Sequence, residues 1–242
     1  MNHRWLVIRL EAPLMAFGGV AIDQVGPTRE FPAASMLTGL FANALGLSWS
    51  DRAAHQALQD RLVFGARHER APRATGVLTD SQNAQLAKTD QGWTTFGVPE
   101  GRRGSSHDAP HRRARDFLVD AVVRVVLRLD RPRAEPTLEV LADALDRPAR
   151  PLFIGRKPCL PACRLMDGWT DGDTAHAALC SLSGPGPCRA LWPVGQGPEA
   201  DASVDGVFEL ADMRNWHSGL HGGLRRVVQG YVTGAGPWSR FS

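Results

Sequence analysis

The amino-acid sequence predicts an α+β protein whose strands and helices follow the order of the ferredoxin-like fold. Aliphatic-rich segments over 5–10 and 117–129 predict strands, because their apolar residues alternate or run continuously. Apolar residues at helical spacing predict a helix over 31–46, a segment without any charged residue. Taken with the elements below, the order is strand, helix, strand, long insertion, strand, helix, strand, which is the split βαβ arrangement.

The first half of this pattern is bounded by recognisable start and stop residues. A glycine-containing loop, APLMAFGG, follows the first strand. Pro32 suits the first turn of the following helix, and Gly46 suits its C-terminal end. A second short helix is predicted over 51–60, capped by Ser50 or Asp51, and a strand over 62–69.

The second half starts with the most strongly patterned segment, FLVDAVVRVVLRL at 117–129. We predict one continuous strand, with odd-numbered positions in the core and even-numbered positions partly facing solvent. A helix over 137–145 lies between Pro136 and Pro148, and LFIG at 152–155 is the predicted fourth strand.

Two regions lie outside this pattern. Residues 70–115 are rich in Gly, Pro, Ser, Thr and Asn without an apolar period, and we expect an extended hairpin or arm there. Residues 158–242 are rich in Gly and Pro. Their predicted elements are a helix over 174–182 and strands near 204–210 and 225–233. We therefore predict a domain over 1–157 that includes the insertion at about 70–115, with a small β-rich C-terminal extension over 158–242 packed on it.

Positive charge in this chain is made almost entirely of arginine. The sequence has 28 Lys+Arg against 25 Asp+Glu, a formal net charge of +3, and only Lys88 and Lys157 are lysines. A guanidinium presents a planar fork that suits phosphate and stacks on bases, which an ammonium cannot reproduce. A GC-rich genome also enriches arginine, so the positions of the arginines carry more information than their number.

The cysteines and the apolar segments exclude several classes of protein. Cys159, Cys163, Cys180 and Cys188 fit no common zinc-binding spacing and are expected to be reduced structural thiols. No signal peptide precedes the first predicted strand, and the charge-free segment 31–50 is too short and too polar for a membrane span. We expect a cytoplasmic protein without a cofactor and without membrane binding.

The first candidate site is the entry to the charge-free helix. Arg29 lies just before the predicted helix N-terminus, where free backbone N–H groups attract anions, so Arg29 and Ser35 are candidates to hold a phosphate. In the alternative interpretation Ser35 caps the helix locally and Arg29 pairs with Glu30. Neither common glycine-rich phosphate loop is present.

The second candidate site is a basic cluster in the 70–115 segment. Its members are Arg102, Arg103, Arg112, Arg113, Arg115, His107 and His111. Clustered cations on an extended arm are typical of polyanion binding, and a solvated loop is the alternative. His107 and His111 are also the candidate acid and base of a metal-independent ribonuclease.

Two further basic steps, GRK at 155–157 and RR at 225–226, are candidates for backbone contacts to nucleic acid or ordinary strand-edge charge. The RNP1 pattern of RNA-binding sheets is missing, and the predicted strands lack aromatic residues on which bases stack. RNA binding by the face of the sheet is therefore not expected.

Four segments resemble a known family in sequence and order. They are IRLEAPLMAFG, PTREFPAASMLTGLFANALGL, RDFLVDA and PLFIGRKPCLP. Together they resemble the Cas-five type (CasD) subunits of the type I-E CRISPR surveillance complex, Cascade, over most of residues 5–162. The second segment is the most specific, and the residues whose spacing matches are Arg29, Phe31, Pro32, Ser35, Gly39, Leu40 and Gly46.

This resemblance implies a ferredoxin-like, RRM-like body of the RAMP superfamily with a long protruding thumb, formed here by the 70–115 segment. It implies a non-catalytic subunit that binds the 5′ handle of the guide RNA (crRNA) and caps the backbone of CasC-type subunits in antiviral defence. Further implied partners are the large CasA-type subunit and target DNA near the adjacent motif. In related type I-C systems the Cas-five protein cuts the precursor RNA, so a metal-independent endoribonuclease is the alternative.

Residue by residue, the resemblance implies RNA contacts first at Arg29 and Ser35. It implies further contacts at Met15, Phe17, Gly18, Arg115, Arg156 and Lys157, and in the thumb at Arg102, Arg103 and His107. The helix over 31–46 is then expected to face RNA with its N-terminal end. Its small, uncharged second face is expected to be covered by the C-terminal part of the chain or by a neighbouring subunit.

Overall fold

The structure of the chain is a computed structural model. It describes residues 2–20, 24–69, 76–84, 91–93, 99–101, 111–184 and 186–236. Within these ranges the chain forms four helices and three β-sheets, a mixed α/β architecture. None of the described helices is long and apolar enough to cross a lipid bilayer.

A seven-stranded sheet organises the molecule, and every neighbouring pair in it is antiparallel. From one edge to the other its strands are β10 (Met166–Gly172), β1 (His3–Glu11), β9 (Val122–Leu129), β4 (Leu62–His68), β11 (Cys188–Pro193), β13 (Arg225–Val232) and β12 (Val204–Leu210). The predicted strands at 5–10, 62–69, 204–210 and 225–233 are all present. The sequence interpretation missed β10 and β11.

The predicted fourth strand at 152–155 is wrong. This segment is irregular, and the edge position beside β1 is taken by β10. Gly155 explains the difference, because it has a φ of 87° and its missing Cβ would lie 1.6 Å from the Ala16 carbonyl oxygen. The close approach of the two backbones, with the Ala16 N–H donating to the Ile154 carbonyl at 3.2 Å, bends this segment away from a strand path.

The predicted single strand over 117–129 is also wrong, because the chain breaks at Asp120. Asp120 has a φ of 54°, a left-handed conformation that aspartate tolerates better than bulkier residues, and its N–H donates to the Pro13 carbonyl at 3.0 Å. The part before the break is β8 (His111–Val119), in a second sheet, and the part after it is β9 in the main sheet. A turn of two residues, Asp120 and Ala121, thus moves the chain from one sheet to the other.

Both faces of the main sheet are buried where β9 runs through it. The face with Val123, Val125 and Leu127 packs in the larger core beneath α1 (Ala34–Leu45) and α3 (Leu138–Asp146). The opposite face, predicted to be partly wet, packs Val126 with Trp5 and others against α4 (Ala175–Ser181). The outer face is therefore a second core.

The helices begin and end largely as predicted. Gly46 ends α1 in the left-handed conformation, with a φ of 79°, and Thr137 caps α3 by accepting from the Val140 N–H at 3.3 Å. Pro32 precedes α1 rather than occupying its first turn, because the helix starts at Ala34. The short helix α2 (Arg52–Gln59) follows as expected.

The segment predicted as an arm contains strands wherever the structure describes it. In the second sheet β8 pairs antiparallel with β5 (Val77–Ala84) and β2 (Leu14–Met15) and parallel with β3 (Val25–Gly26). A separate pair is formed by β6 (Gln91–Trp93) and β7 (Pro99–Gly101). The β2 and β3 pairings bring the foot of this ladder beside the loop that follows β1.

Candidate nucleic-acid interface

A groove of about 400 Å³ opens where α1 meets the loop after β1, the foot of β8 and the C-terminal loop at 211–224. Its floor is the uncharged second face of α1. Ser35 and Gly39, one turn apart, are half-buried there, and a Cβ added to Gly39 would meet nothing within 4 Å. Other parts of that face, Thr38 and Ala42, are buried inside the chain. The small residues thus leave room for a ligand to approach the helix closely.

Arg156 forms one wall of the groove and is held by backbone carbonyl groups. Its Nη1 donates to the Asp116 carbonyl at 2.9 Å and its Nη2 to the Gly26 carbonyl at 2.8 Å. The guanidinium lies 4.9 Å from the ring centroid of Phe117. These contacts fix the position of the cation without neutralising its charge.

Arg115, on β8, lies next to Arg156 and is held in the same way. Its Nη1 donates to the Gln24 carbonyl at 3.0 Å and to the Ala114 carbonyl at 2.8 Å. A Cβ on Gly26 would lie 2.8 Å from the Arg115 Cδ, so a glycine is needed for the side chain to pack there. Burial lowers the pKa of Arg156, and the positive charge of Arg115 lowers it further. The two guanidinium groups therefore repel each other, and an anion between them would relieve that repulsion.

The charge in the groove has one sign. Arg115, Arg156 and Arg214 line it together with His221, and no carboxylate is found among the described residues that line it. At Gly39 an added Cβ would meet nothing within 4 Å, so the helix backbone is open to a ligand there. Concentrated positive charge with unblocked backbone is the pattern that binds phosphates.

A family model described as CRISPR-associated protein (Cas_Cas5) matches residues 5–228. The chain belongs to this family. It is 28% identical over 202 residues to the CRISPR system Cascade subunit CasD of Escherichia coli (strain K12). The aligned residues cover 84% of this chain and 83% of that protein. The Cas-five type resemblance found in the sequence is confirmed.

Two solved structures share the fold of this Cas5-family chain. A chain of a CRISPR RNA-guided surveillance complex superposes with a TM-score of 0.66 at 20% identity, covering 96% of this chain and 94% of that one. A crystallised Cas protein superposes with a TM-score of 0.56 at 21% identity, covering 95% of each. At these identities the likeness concerns the fold.

Of the predicted RNA-binding residues of this Cas5-family chain, four line the groove: Gly18, Ser35, Arg115 and Arg156. Lys157 is exposed next to Arg156. Arg29 is half-buried, and its Nη2 donates to the Ala211 carbonyl at 2.8 Å. Arg102, Arg103 and His107 lie outside the described residues.

The N-terminal N–H groups of α1, which the sequence interpretation offered to a phosphate, have protein partners. Those groups are already used, because the Ala34 N–H donates to the Asp212 carboxylate at 3.3 Å and the Ser35 N–H to the Asp212 carbonyl at 3.0 Å. Asp212 is buried and its carboxylate pairs with Arg225 at 2.6 Å. Arg225, one half of the predicted 225–226 basic step, thus stabilises the helix cap.

The side chains of Met15 and Phe17, which were also predicted to contact RNA, are fully buried in the larger core. Their backbone positions the loop after β1, since the Phe17 N–H donates to the Thr28 Oγ1 at 3.0 Å and its carbonyl accepts from the Ala33 N–H at 3.2 Å. They support Gly18 at the groove rather than line it.

Three groove residues were missed by the sequence interpretation: Arg214, Trp216 and His221. They lie in the C-terminal loop, about 180 residues after the helix that they face. Nothing in the local sequence marks them, because a single tryptophan and arginine in a polar loop have no periodicity or motif.

Cysteine or metal chemistry is not supported elsewhere in the described chain. Cys159, Cys163, Cys180 and Cys188 form no disulfide within the described part of the chain, and burial raises the pKa of each, so they are poor nucleophiles at neutral pH. Within the described ranges no group of three or more His, Cys, Asp or Glu residues is arranged to hold a metal ion.

Proposed function

We propose that this chain is a non-catalytic, cytoplasmic subunit of a type I-E Cascade that binds the 5′ handle of the guide RNA in the groove beside α1. The observation that carries the proposal is the charge of the groove, which is lined by three arginines and no carboxylate among its described residues. Membership of the Cas5 family and the identity with a Cascade subunit over most of both chains supply the biological setting.

The fold supports the proposal through its strand order. The arrangement β10–β1–β9–β4, with α1 and α3 on one face, is the order expected for a ferredoxin-like body. The β5–β8 ladder is then the base of the thumb, and β11, β13 and β12 form the C-terminal extension, which continues the same sheet.

Within the groove, Arg115 and Arg156 bind backbone phosphates. Each is anchored by carbonyl groups on one side and faces the groove on the other, so binding costs little side-chain entropy. The Ser35 hydroxyl and the backbone at Gly18 lie on the same floor and donate to sugar or phosphate oxygens. Arg29, bonded to the Ala211 carbonyl, and Lys157, next to Arg156 in the chain, extend the basic surface beyond the groove.

Binding rather than cleavage is favoured by the scarcity of acid–base groups. A metal-independent ribonuclease needs a general acid and a general base within reach of the scissile phosphate. Among the described groove residues His221 is the single histidine, and it is exposed. The CasC-type backbone, the large CasA-type subunit and target DNA near the adjacent motif complete the proposed set of partners.

The experiment incubates the purified chain with the CRISPR repeat RNA of its host in EDTA and measures both binding and cleavage. We expect salt-sensitive binding of intact RNA, because neutralising phosphates releases counterions. Specific cleavage that is lost in His107→Ala or His111→Ala would contradict the proposal in favour of an endoribonuclease. Absence of any RNA binding at low salt would contradict both.

A further inference from the structure

The C-terminal loop at 211–224 is fastened to α2 by one buried glutamine. Gln59 is 3% exposed, and its Nε2 donates to the Arg214 carbonyl at 2.8 Å. Its Oε1 accepts from the Arg214 N–H at 3.2 Å and from the Trp216 Nε1 at 3.1 Å. Both ends of one amide group thus hold residues 214 and 216, which fixes the loop where it borders the groove.

Trp216 is held from further directions and supports Arg214. Its N–H donates to the Gln56 Oε1 at 3.0 Å, and its ring centroid lies 4.6 Å from that of His55. The Arg214 guanidinium lies 5.1 Å from the same tryptophan ring. The indole is therefore occupied by protein contacts, and its role is to carry the guanidinium.

The Arg214 side chain has hydrogen-bond donors that the protein does not use. Its Nε is buried and has no hydrogen-bond partner among the described residues, and no described carboxylate forms an ion pair with its guanidinium. That Nε lies out of a ligand's reach, but the described residues accept no hydrogen bond from the Nη atoms of the same guanidinium. A charged donor without a partner is costly, so an acceptor for the Nη donors is expected from the groove, which Arg214 lines together with Arg115 and Arg156.

We propose that Arg214 binds a phosphate of the RNA in the groove and that Gln59 is the positioning residue that holds it there. The inference rests on the proposed function, because it names a third phosphate contact in the same groove. A phosphate is favoured over a base, because the aromatic surface of Trp216 is in contact with His55 and Arg214, while no described residue accepts a hydrogen bond from the Arg214 guanidinium.

The experiment measures the affinity of the full chain for a fluorescein-labelled oligouridylate by fluorescence anisotropy across a series of NaCl concentrations. Removing one phosphate contact to a single strand should reduce the slope of log K against log [salt] by about 0.7. Arg214→Gln is therefore expected to weaken binding about tenfold at low salt and to reduce the slope by that amount. Arg133→Gln, which removes the same charge from an exposed loop outside the groove, should change neither quantity.

Gln59→Leu tests the positioning role. It should reduce the slope as Arg214→Gln does, and the double variant should be no worse than Arg214→Gln alone, because both changes remove the same contact. A thermal unfolding curve checks that the variant is folded. If Gln59→Leu does not fold, Gln59→Met replaces it without adding charge, with the same slope expected from loss of the Nε2 donor to the Arg214 carbonyl.

The outcomes separate this inference from the proposed function. Wild-type binding with an unchanged affinity and slope in Arg214→Gln would overturn the inference and leave the function standing. Weaker binding with an unchanged slope would also overturn it, because it would indicate a base contact. No oligonucleotide binding by the wild-type chain would contradict the proposed function itself.

Discussion

Two groups of arginines in this chain have opposite surroundings. Arg67 is fully buried, and its Nε pairs with Glu69 at 2.9 Å while its Nη atoms donate to three carbonyls around the end of α4. Arg61 donates to five carbonyls of the loop before α3. The groove arginines are Arg115, Arg156 and Arg214. Each has at most three carbonyl partners and no carboxylate partner among the described residues.

The difference shows what an arginine-rich composition can and cannot indicate. A guanidinium whose donors are all used inside the protein is a structural crosslink, because it connects loops and strands that are distant in sequence. A guanidinium that is anchored on one side and open on the other is a ligand group. The two kinds look the same in the sequence, and only the fold distinguishes them.

The largest effect is expected from breaking a structural arginine. Arg67→Met removes four hydrogen bonds and leaves the Glu69 carboxylate, which is 3% exposed, with Arg124 at 3.6 Å as its only cation among the described residues. Breaking a buried ion pair in this way costs about 3–5 kcal/mol. Urea denaturation should show that loss in the free energy of unfolding, whereas Arg133→Met, at an exposed position, should be near wild type. A loss as small as that of the control would show that Arg67 is not a crosslink.

Replacing Arg115 and Arg156 in the groove should lower RNA affinity far more than it lowers the free energy of unfolding. Arg115→Gln combined with Arg156→Gln is expected to weaken RNA binding by about 3 kcal/mol, or about a hundredfold, because two charged hydrogen-bonding groups are removed. The free energy of unfolding should fall by much less than in Arg67→Met. Anisotropy titrations and urea denaturation of the same preparations make the comparison. A variant that lost stability rather than affinity would place these residues in the structural group.

A smaller effect is expected from pH on the free energy of unfolding, because a buried histidine without a carboxylate partner is disfavoured in its charged form. His68 is 2% exposed, its Nε2 lies 3.0 Å from the Glu30 carbonyl oxygen, and burial lowers its pKa. In the unfolded chain the His68 imidazole binds a proton at about pH 6.5. In the folded chain it binds the proton only at a lower pH. The free energy of unfolding should therefore be level above about pH 6.5 and decrease below it.

Urea denaturation across a pH series measures this decrease. His68→Gln should make it shallower, and His176, whose pKa is also lowered by burial, should account for part of what remains. His217→Gln is the matched control, because His217 is exposed. An equal decrease in wild type and His68→Gln would mean that His68 is protonated in the folded chain.

The smallest effect is expected on the floor of the groove. Gly39→Ala adds a methyl group that meets nothing within 4 Å of the protein and replaces a glycine inside α1, so the free energy of unfolding should rise by about 0.5–1 kcal/mol. RNA binding should weaken, because the methyl group occupies the space left for the ligand. Higher stability with unchanged RNA affinity would show that the ligand does not reach the helix.

The elements that were predictable from the sequence are those set by local pattern. The helix over 34–45 follows from apolar spacing and from Gly46, which ends it. The break at Asp120 was not predictable, because the apolar alternation continues through it and the turn depends on a bond to the Pro13 carbonyl. The strand β10 has no buried residue and contains two glycines, so it has little apolar signal of its own.

The candidate site divides in the same way. Arg156 could be found because it follows a glycine in a recognisable segment, and that glycine is required for the backbone contact with Ala16. Asp212 and Arg214 could not, because their partners, the N-terminus of α1 and Gln59, lie more than 150 residues earlier in the chain. Long-range contacts of this kind leave no periodicity in the sequence.

The most direct test is the amount of guide RNA that copurifies with the complex assembled from this chain and its host partner subunits at raised salt. We predict that Arg115→Gln combined with Arg156→Gln greatly reduces the retained guide RNA, while Arg133→Gln retains the wild-type amount. Retention of guide RNA at the wild-type level by the double variant, across the same salt range, would contradict the assignment of the groove as the RNA-binding site.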